Sequence, residues 1–366
     1  MLDSSRGLAY LAVAATVAVA CAAARRRAAT KGDGREAPAP LPMGFPITPA
    51  KVLAAAARVA PHVHRTPVLT SARLDEAAGR SLFFKCEVLQ KTGSFKIRGA
   101  TNAALQISDR RAPLVTHSSG NHAQAVAVAA RATGRAAHVV MPENAPAVKR
   151  AAVAAYGAQV TLCAPTNAAR KIAAEARVAA TGGHFVHPSD DPDVICGQGT
   201  VAVEFLDQCA GLDALVVPVG GGGLISGITV YAKHARPSLK IIGAEPRAVD
   251  DAARSKAAGR RLDHPSAATP ETIADGLKTL LGDHTWPVVR DLVDEILTVD
   301  EDAIKDATKL VWGRMKLCVE PSAGVGVAVA LSDEFRAKYP AATYPRVGVI
   351  LCGGNLDLAK AAKSLF

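Results

Sequence analysis

The chain has 366 residues, enough for one large domain or two ordinary ones. Its formal net charge is +10. Residues 1–45 contain six Lys and Arg against three acidic residues, which leaves a net charge of +7 for the rest of the chain. Hydrophobic residues make up 49% and aromatic residues only 4%, which favours cores of Ala, Val, Leu and Ile in alternating strands and helices over an aromatic-rich sandwich. No run of Lys and Arg is interleaved with aromatic residues, so we expect small anionic ligands and no nucleic acid. The seven cysteines contain no CxxC pair, which favours a reducing compartment over a disulfide framework or a zinc site.

Residues 1–45 are predicted to form a leader that is separate from the fold. They contain the uncharged apolar run "GLAYLAVAATVAVACAAA", followed by "RRR" and a polar stretch with prolines. One interpretation is a signal or organellar leader with "ACA" as its cleavage site. The other is a short membrane anchor with a cytosolic C-terminal side. Both stay open, as does a cytoplasmic or organellar location, and the fold is expected to begin near Phe45.

Residues 111–190 are predicted to form a small domain with alternating strands and helices. The predicted strands are "PLVTHSS", "AAHVVMP" and "AQVTLCA", and the predicted helices are "GNHAQAVAVAARATG", "APAVKRAAVAAYG" and "NAARKIAAEARVAATGG". Short links between strands and helices predict a parallel sheet that is covered on both faces by right-handed crossovers.

Residues 46–110 and 191–366 are predicted to form a large domain of the same class, which the segment 82–106 joins. Its predicted elements are the helix "GTVAVEFLDQC", the strand "ALVVPVGGGG", the helix "LISGITVYAKHA", the strand "KIIGAEP" and the late strand "YPRVGVILCGG". In open parallel sheets, ligands bind beyond the carboxyl ends of the strands. The unusual loops at those ends are therefore the candidate functional sites.

Four consecutive glycines, Gly220, Gly221, Gly222 and Gly223, follow one of these strands. A run of glycines costs backbone entropy, and its amides can converge on an anion at the start of a helix. The spacing matches neither a GxGxxG dinucleotide motif nor a Walker loop. We predict a phosphate site here, and a flexible turn is the alternative.

A second corner between strand and helix carries Ser118, Ser119, Gly120, Asn121 and His122. A single serine or asparagine would suffice to cap the helix. Two hydroxyls and the free amides of a helix start are suited to binding the carboxylate of a substrate, whereas the alternative is a plain N-cap.

Lys96 follows "TGSF" at the start of a third predicted helix. Lysine forms a Schiff base with the aldehyde of pyridoxal phosphate, and partial desolvation would lower its pKa toward the working range. Together with a phosphate site and a carboxylate site, Lys96 therefore suggests this cofactor. The alternative for Lys96 alone is a solvated residue in a first helical turn.

Seven motifs carry a resemblance to a known family: "KTGSFKIRGA", "THSSGNH", "VVPVGGGG", "AEPRAVDD", "PETIADG", "MKLCVEPSAGVGVA" and "ILCGGNLDL". Together they resemble the fold-type II pyridoxal-phosphate enzymes, which share the fold of the tryptophan synthase β subunit, and within them the serine racemases and serine/threonine dehydratases. The similarity covers residues 66–357. It implies an α/β fold with two lobes, each with a mainly parallel twisted sheet flanked by helices.

The resemblance also implies roles for the residues around the cofactor. Lys96 is implied to bind the cofactor and to act as the base on one face of the substrate, and Cys352 is implied to lie next to the pyridine nitrogen. The full implied cofactor set is Phe95, Lys96, Asn121, Gly220, Gly221, Gly222, Gly223, Leu224, Gly276 and Cys352.

The implied substrate residues are Ser118, Ser119, Asn121, His122 and Arg170. A racemase needs a second acid/base opposite the lysine, and Ser119 stands where dehydratases of the family commonly have alanine. Cys352 stands where the family usually has serine, although some serine dehydratases have cysteine. The resemblance thus implies interconversion of L- and D-serine, with elimination of water from serine to pyruvate and ammonia.

Other functions stay open from the sequence. The nearest alternative is an L-serine/L-threonine dehydratase, and the preference among serine, threonine and aspartate is not fixed by the motifs. Two alternatives of other classes are a nucleotide-binding oxidoreductase that uses the glycine loop and a non-catalytic regulatory protein that kept the fold.

Two further sites are implied by the resemblance. Glu245, the carbonyl of Val249 and Asp251 are implied to bind Mg²⁺, Ca²⁺ or Mn²⁺, for which hard oxygen ligands are suited, and a solvated acidic loop is the alternative. A homodimer is implied, with ATP as an activator between subunits, although Ala72 replaces a serine of that site and we expect a weakened ATP response. The implied nucleotide residues are Ser71, Lys91, Thr92, Gln124, Tyr156, Lys316 and Asn355.

Overall fold

The structure is a computed structural model that describes residues 41–145, 147–264 and 271–365. Nearly all of the predicted leader therefore lies outside the described residues. Within the described ranges, none of the helices has the length and apolar character needed to span a bilayer.

Ten strands form two separate sheets in the described chain. The six-stranded sheet has the order β1-β2-β10-β7-β8-β9, and the four-stranded sheet has the order β5-β4-β3-β6. All neighbours pair in parallel except β1 and β2. The strands are β1 (Val68–Leu69), β2 (Ser81–Cys86), β3 (Leu114–His117), β4 (Ala137–Pro142), β5 (Gln159–Cys163), β6 (His184–Phe185), β7 (Ala214–Pro218), β8 (Lys240–Pro246), β9 (Glu295–Val299) and β10 (Arg346–Leu351).

Helices cover the sheets. In the described residues they are α1 (Pro49–Val59), α2 (Ala72–Ala78), α3 (Lys96–Gln106), α4 (Asn121–Ala132), α5 (Ala147–Ala155), α6 (Asn167–Thr181), α7 (Pro192–Gln208), α8 (Gly223–Ala235), α9 (Asp251–Ala258), α10 (Thr285–Asp291), α11 (Glu301–Met315), α12 (Pro321–Leu331), α13 (Asp333–Lys338) and α14 (Leu358–Leu365). Short 3₁₀ helices span Glu87–Leu89, Arg247–Val249 and Asp275–Leu277.

The fold class predicted from the sequence is confirmed. Every residue of β4 and of β7 is buried, as expected for strands covered on both faces. The segment 82–106 contributes β2 to the six-stranded sheet, where Leu82 pairs with Val347. The two main cores separate in the same way, one around each sheet, and a small third cluster of Val140, Cys163 and Ala174 lies on the four-stranded sheet.

The two cores do not follow the predicted domain limits residue by residue. Val59 of α1 and Ile97 of α3 pack in the core of the four-stranded sheet, although both lie outside residues 111–190. The limits of the two domains stay a prediction.

One predicted helix was wrong at its start. The pattern placed its first turn at Gly199, but α7 begins at Pro192. The carboxylate of Asp191 accepts hydrogen bonds from the amides of Asp193 and Val194 and so caps the helix, and a proline at the first helical position has the backbone angle that this position needs.

Candidate active site

A cavity of about 1170 Å³ lies where the loops that follow β3, β7 and β10 meet the start of α3. Every implied cofactor and substrate residue lines it: Phe95, Lys96, Ser118, Ser119, Asn121, His122, Arg170, Gly220, Gly221, Gly222, Gly223, Leu224, Gly276 and Cys352. Residues that are 256 positions apart in the chain, Lys96 and Cys352, thus share one cavity.

Lys96 is the first residue of α3 and points its amine into the junction of the two sheets. Its Nζ donates a hydrogen bond of 2.7 Å to the carbonyl of Pro188 and lies 5.0 Å from the centre of the Phe95 ring. The start of α3 is fixed by the amide of Phe95, which donates to the carbonyl of Cys352 at 3.1 Å. Burial lowers the pKa of Lys96 to about 8, although Cys352 and Glu320 act in the opposite direction. A proton can therefore leave this amine near neutral pH.

The four glycines 220–223, which we call the glycine turn, join β7 to α8. Gly222 has φ +80°, a conformation that favours glycine. A methyl group on Gly221 would come within 2.3 Å of Ser189 Oγ, and one on Gly223 within 2.6 Å of the Ser189 carbonyl oxygen. In the described part of the chain, the amides of the glycine turn find no hydrogen-bond acceptor. The turn thus offers a row of buried donors and no room for side chains.

The corner between β3 and α4 also lacks the cap that a purely structural helix start would have. Gly120 precedes the first helical residue, and no side chain there accepts a capping hydrogen bond. Ser118 Oγ accepts from the Gly120 amide at a long 3.3 Å, and Ser119 lines the cavity. The hydroxyls are therefore available to a ligand.

His122 is buried, and its imidazole does not act as an acid or a base on the substrate. Its Nε2 donates to the carbonyl of Val186 at 3.0 Å, which leaves Nδ1 without a proton. Burial, together with the charge of Lys96, lowers the pKa of His122 far below its usual range. The ring therefore stays neutral, and any contact with a substrate carboxylate comes from the backbone of this residue.

Glu320 is a cavity residue that the sequence analysis missed. Only 4% of it is exposed, and its Oε1 accepts a hydrogen bond of 2.8 Å from Asn121 Nδ2. Burial and the nearby carboxylate of Asp275 raise the pKa of Glu320 to about 8. The sequence signal was an acidic residue directly before the otherwise apolar helix "PSAGVGVAVAL".

Asn121 is held from both sides. Besides its bond to Glu320, its Oδ1 accepts from Asn355 Nδ2 at 2.9 Å, and the same Asn355 nitrogen donates to the Thr92 carbonyl at 2.6 Å. Two of the implied nucleotide residues, Thr92 and Asn355, are therefore linked to the cavity by hydrogen bonds.

The other implied nucleotide residues lie on several different elements. Lys91 and Lys316 are exposed, Ser71 precedes α2, Gln124 is buried on α4, and Tyr156 packs under Arg131. Among the residues that the structure describes, Ser71, Lys91, Tyr156 and Lys316 share no hydrogen bond.

Cys352 and Gly276 face the cavity from the six-stranded sheet. Burial and Glu320 raise the pKa of the Cys352 thiol well above its usual range, so this group is neutral. The Gly276 amide donates to Ser322 Oγ at 3.1 Å. Both residues present small, uncharged groups to the cavity.

The residues implied to bind a cation lie at the end of β8. Glu245 is buried, and its carboxylate accepts from the amides of Ala252 and Ala253 at 3.0 and 2.9 Å. Asp251 is 1% exposed, and its Oδ1 has no hydrogen-bond partner. Burial raises the pKa of both carboxyl groups, that of Asp251 to about 6. Across residues 41–145, 147–264 and 271–365, no three His, Cys, Asp or Glu side chains converge on a point where a metal ion would fit.

Comparison with known proteins decides the family. The model of the family described as "Pyridoxal-phosphate dependent enzyme" matches residues 59–353. The chain belongs to this family. It is 50% identical over 301 residues to a protein named serine racemase from Homo sapiens, across 81% of this chain and 87% of that relative.

Two solved structures share both fold and sequence with the chain. The structure of maize serine racemase aligns with a TM-score of 0.84 and 45% identity, covering 88% of this chain and 97% of the maize chain. The structure of a threonine deaminase from T.th. aligns with a TM-score of 0.79 and 43% identity, covering 85% of this chain and 99% of the deaminase chain.

The cavity fits pyridoxal phosphate, the cofactor of this family. The glycine turn offers amides without acceptors to a phosphate, and Lys96 offers an amine of lowered pKa to an aldehyde. The neutral Cys352 thiol suits a site beside a ring nitrogen that carries no full charge.

Proposed function

We propose that this enzyme interconverts L- and D-serine and also eliminates water from serine to give pyruvate and ammonia. The observation that carries the proposal is that the Lys96 amine and Ser119 line one cavity beside the glycine turn, whose buried amides find no acceptor among the described residues. The similarity to serine racemases of about 50% identity over 81% of the chain supports the choice of substrate.

The bound cofactor withdraws electrons from the amino acid and so acidifies the proton on its Cα. Lys96 takes or returns that proton on one face, because its pKa lies close to the working pH. Ser119 serves the opposite face, where its hydroxyl is not engaged in capping α4. Racemisation needs both groups, whereas elimination from L-serine needs only Lys96 among them.

The remaining cavity residues bind and orient. With the cofactor bound, the glycine turn and Leu224 would hold its phosphate, Phe95 and Gly276 would contact its ring, and Asn121 would bind its hydroxyl, since all of these residues line the cavity. The hydrogen bond to Glu320 fixes the orientation of the Asn121 amide.

The substrate carboxylate is bound at the start of α4. Ser118, Ser119, Asn121 and the backbone of His122 supply the hydroxyl and amide donors, and Arg170 on α6 lines the same cavity. This arrangement uses the open amides of a helix start for an anion.

An L-serine/L-threonine dehydratase is the second candidate, favoured by Cys352 and by the similarity to a threonine deaminase. The deciding experiment incubates the full chain and pyridoxal phosphate with L-serine and separates the products on a chiral column. D-serine formed alongside pyruvate is expected. Pyruvate without D-serine would assign the dehydratase function instead.

We further propose a divalent cation, Mg²⁺ or else Ca²⁺ or Mn²⁺, between Glu245, the Val249 carbonyl and Asp251. Two buried carboxylates at the end of one strand, one with an oxygen that lacks a partner, support this site. A buried carboxylate oxygen without a hydrogen-bond donor is costly, and a cation would satisfy it.

A homodimer with ATP between its subunits is also proposed. It is supported by the resemblance on which the nucleotide residues were named, and by the exposure of Lys91 and Lys316, which leaves both ammonium groups accessible to an anionic ligand. Sedimentation with and without ATP tests it, and a monomer under both conditions would contradict it.

A further inference from the structure

An ion pair crosses the cavity between the two halves of the molecule. Lys149 lies on α5, which packs on the four-stranded sheet, and Asp275 begins the 3₁₀ helix Asp275–Leu277 in the half with the six-stranded sheet. Lys149 Nζ is 2.7 Å from Asp275 Oδ2, and both residues line the cavity. Neither residue was singled out from the sequence, because 126 residues separate them.

Asp275 belongs to a turn that forms part of the cofactor site. The next residue, Gly276, is fixed by its hydrogen bond to Ser322. The one after it, Leu277, packs so closely on the glycine turn that a methyl group on Gly220 would lie 3.0 Å from the Leu277 Cα. A force on Asp275 is therefore transmitted directly to the wall of the phosphate site.

Other polar contacts between the halves are of a different kind. Lys96 to the Pro188 carbonyl and Asn121 to Glu320 are contacts of partly or fully buried groups inside the cavity. In the Lys149–Asp275 pair, by contrast, the lysine side chain is 20% exposed and the aspartate side chain 56% exposed. Water can replace either partner, so this pair can open and close at little free-energy cost.

The pair also acts on the buried carboxyl group of Glu320. The carboxylate of Asp275 raises the pKa of Glu320, and the ammonium group of Lys149 lowers it. Both charges thus affect the protonation of a carboxyl group that lines the cavity.

We propose that Lys149 is a positioning residue that clasps Asp275 across the cavity and so holds the Asp275–Leu277 turn against the glycine turn. The clasp stabilises the closed cavity, and its exposed carboxylate lets it open for substrate entry and product release. This inference rests on the proposed function only for its kinetic test.

The first test needs no turnover. Hydrogen exchange of the Gly276 and Leu277 amides is measured in the full chain with pyridoxal phosphate, for the native protein and for Lys149→Gln. Exchange at these two amides is expected to be several-fold faster in the variant, because the turn opens more often. Equal exchange rates would overturn the clasp, whether or not the enzyme racemises serine.

The second test is kinetic. Lys149→Gln is expected to raise KM for L-serine roughly two- to fivefold and to change kcat less than twofold, because an exposed ion pair contributes little free energy and the clasp acts on closure, not on proton transfer. KM of the native enzyme should rise with ionic strength, since salt screens an exposed pair, and KM of the variant should not. An unchanged KM with the native salt dependence would contradict the proposal.

Two controls separate the clasp from a general stabilising ion pair. Lys338 pairs with Glu295, and neither residue lines the cavity, so Lys338→Gln should leave KM and the exchange of Gly276 unchanged. Exchanging the charges, with Lys149→Asp and Asp275→Lys together, should reverse much of the increase in KM that Lys149→Asp alone causes. If KM of the double variant is no lower than KM of Lys149→Asp, the direct pairing is overturned. If the native protein does not turn over serine, the proposed function is wrong, and the exchange experiment still tests the clasp.

Discussion

At the scale of single residues, substitution of Lys96 is expected to reduce activity the most. Lys96→Ala removes the amine that binds the cofactor and the proton carrier on one face, so racemisation and elimination should both fall to background. Turnover is measured with L-serine, and cofactor binding by absorbance before and after borohydride treatment. Activity near the native level would contradict the whole assignment.

Ser119→Ala separates the two activities. Without the hydroxyl, no proton donor remains on the second face, so racemisation of L-serine should fall by roughly 100- to 10,000-fold. Elimination from L-serine should survive, because Lys96 still takes the proton. Elimination from D-serine, which presents its proton to Ser119, should be lost along with racemisation.

The outcome of that comparison is read from the two enantiomers assayed side by side. Equal losses of elimination from L- and D-serine would mean that Ser119 only binds the carboxylate. The two-face racemase assignment would then be withdrawn.

Glu320 should make stability depend on pH in a defined direction. Its pKa is about 8 in the folded chain and near 4.5 when unfolded, so between these values the folded state binds more protons. Stability is therefore complete below pH 4.5 and falls as pH rises toward 8, by at most about 1.4 kcal/mol per pH unit. Urea unfolding of the native chain and of Glu320→Gln from pH 5 to 8 should show this slope in the difference between their free energies of unfolding, because the other titrating groups are common to both chains. Parallel curves would contradict the raised pKa.

At the scale of elements, α7 and α8 cross at two glycines. A methyl group on Gly227 would lie 2.2 Å from the Ile195 carbonyl oxygen, and one on Gly199 would lie 2.6 Å from the Gly227 carbonyl oxygen. Because backbone faces backbone there, Gly227→Ala should destabilise the chain by roughly 1–3 kcal/mol, as overpacking does.

A matched control is available on α11. An added methyl group on Gly313 would meet nothing within 4 Å, so Gly313→Ala should stabilise by about 0.5–1 kcal/mol through helix propensity. Both variants are compared by urea denaturation. A neutral Gly227→Ala would show that the two helices can separate without cost.

The elements themselves could largely be predicted from the sequence, because alternating strands and helices leave a local periodic pattern. The start of α7 was missed although Asp191 and Pro192 supply a local start signal, because the predicted helix was begun only at Gly199. Glu320 and the Lys149–Asp275 pair were missed for another reason. Their meaning arises only from contacts such as Asn121 with Glu320, which are 199 residues apart. Lys96, the glycine turn and Ser119 were accessible because each stands in a local motif whose chemistry can be inferred without the fold.

At the scale of the whole molecule, the two sheets meet at the cavity, and the proposed cation lies behind one wall of it. The Asp251 carboxylate accepts from the Leu281 amide at 3.4 Å, and Leu281 packs where a methyl group on Gly222 would lie. A cation on Asp251 would therefore stiffen the segment that supports the glycine turn. This connects a site at the end of β8 with the phosphate site.

The last prediction concerns removal of that cation. A ligand that binds only the folded chain stabilises it by about 2.7 kcal/mol when its concentration is a hundred times Kd, so thorough chelation should lower Tm and activity together. Mg²⁺ or Ca²⁺ should restore both in the native chain. Neither ion should do so in Glu245→Gln or Asp251→Asn, because each variant removes a charged oxygen ligand. The control is Asp302→Asn, an exposed aspartate paired with Lys305, which should respond to chelation like the native chain. A melting curve that chelation leaves unchanged in the native chain would exclude the cation, and the Asp251 oxygen would then be an unpaired buried group that the fold tolerates.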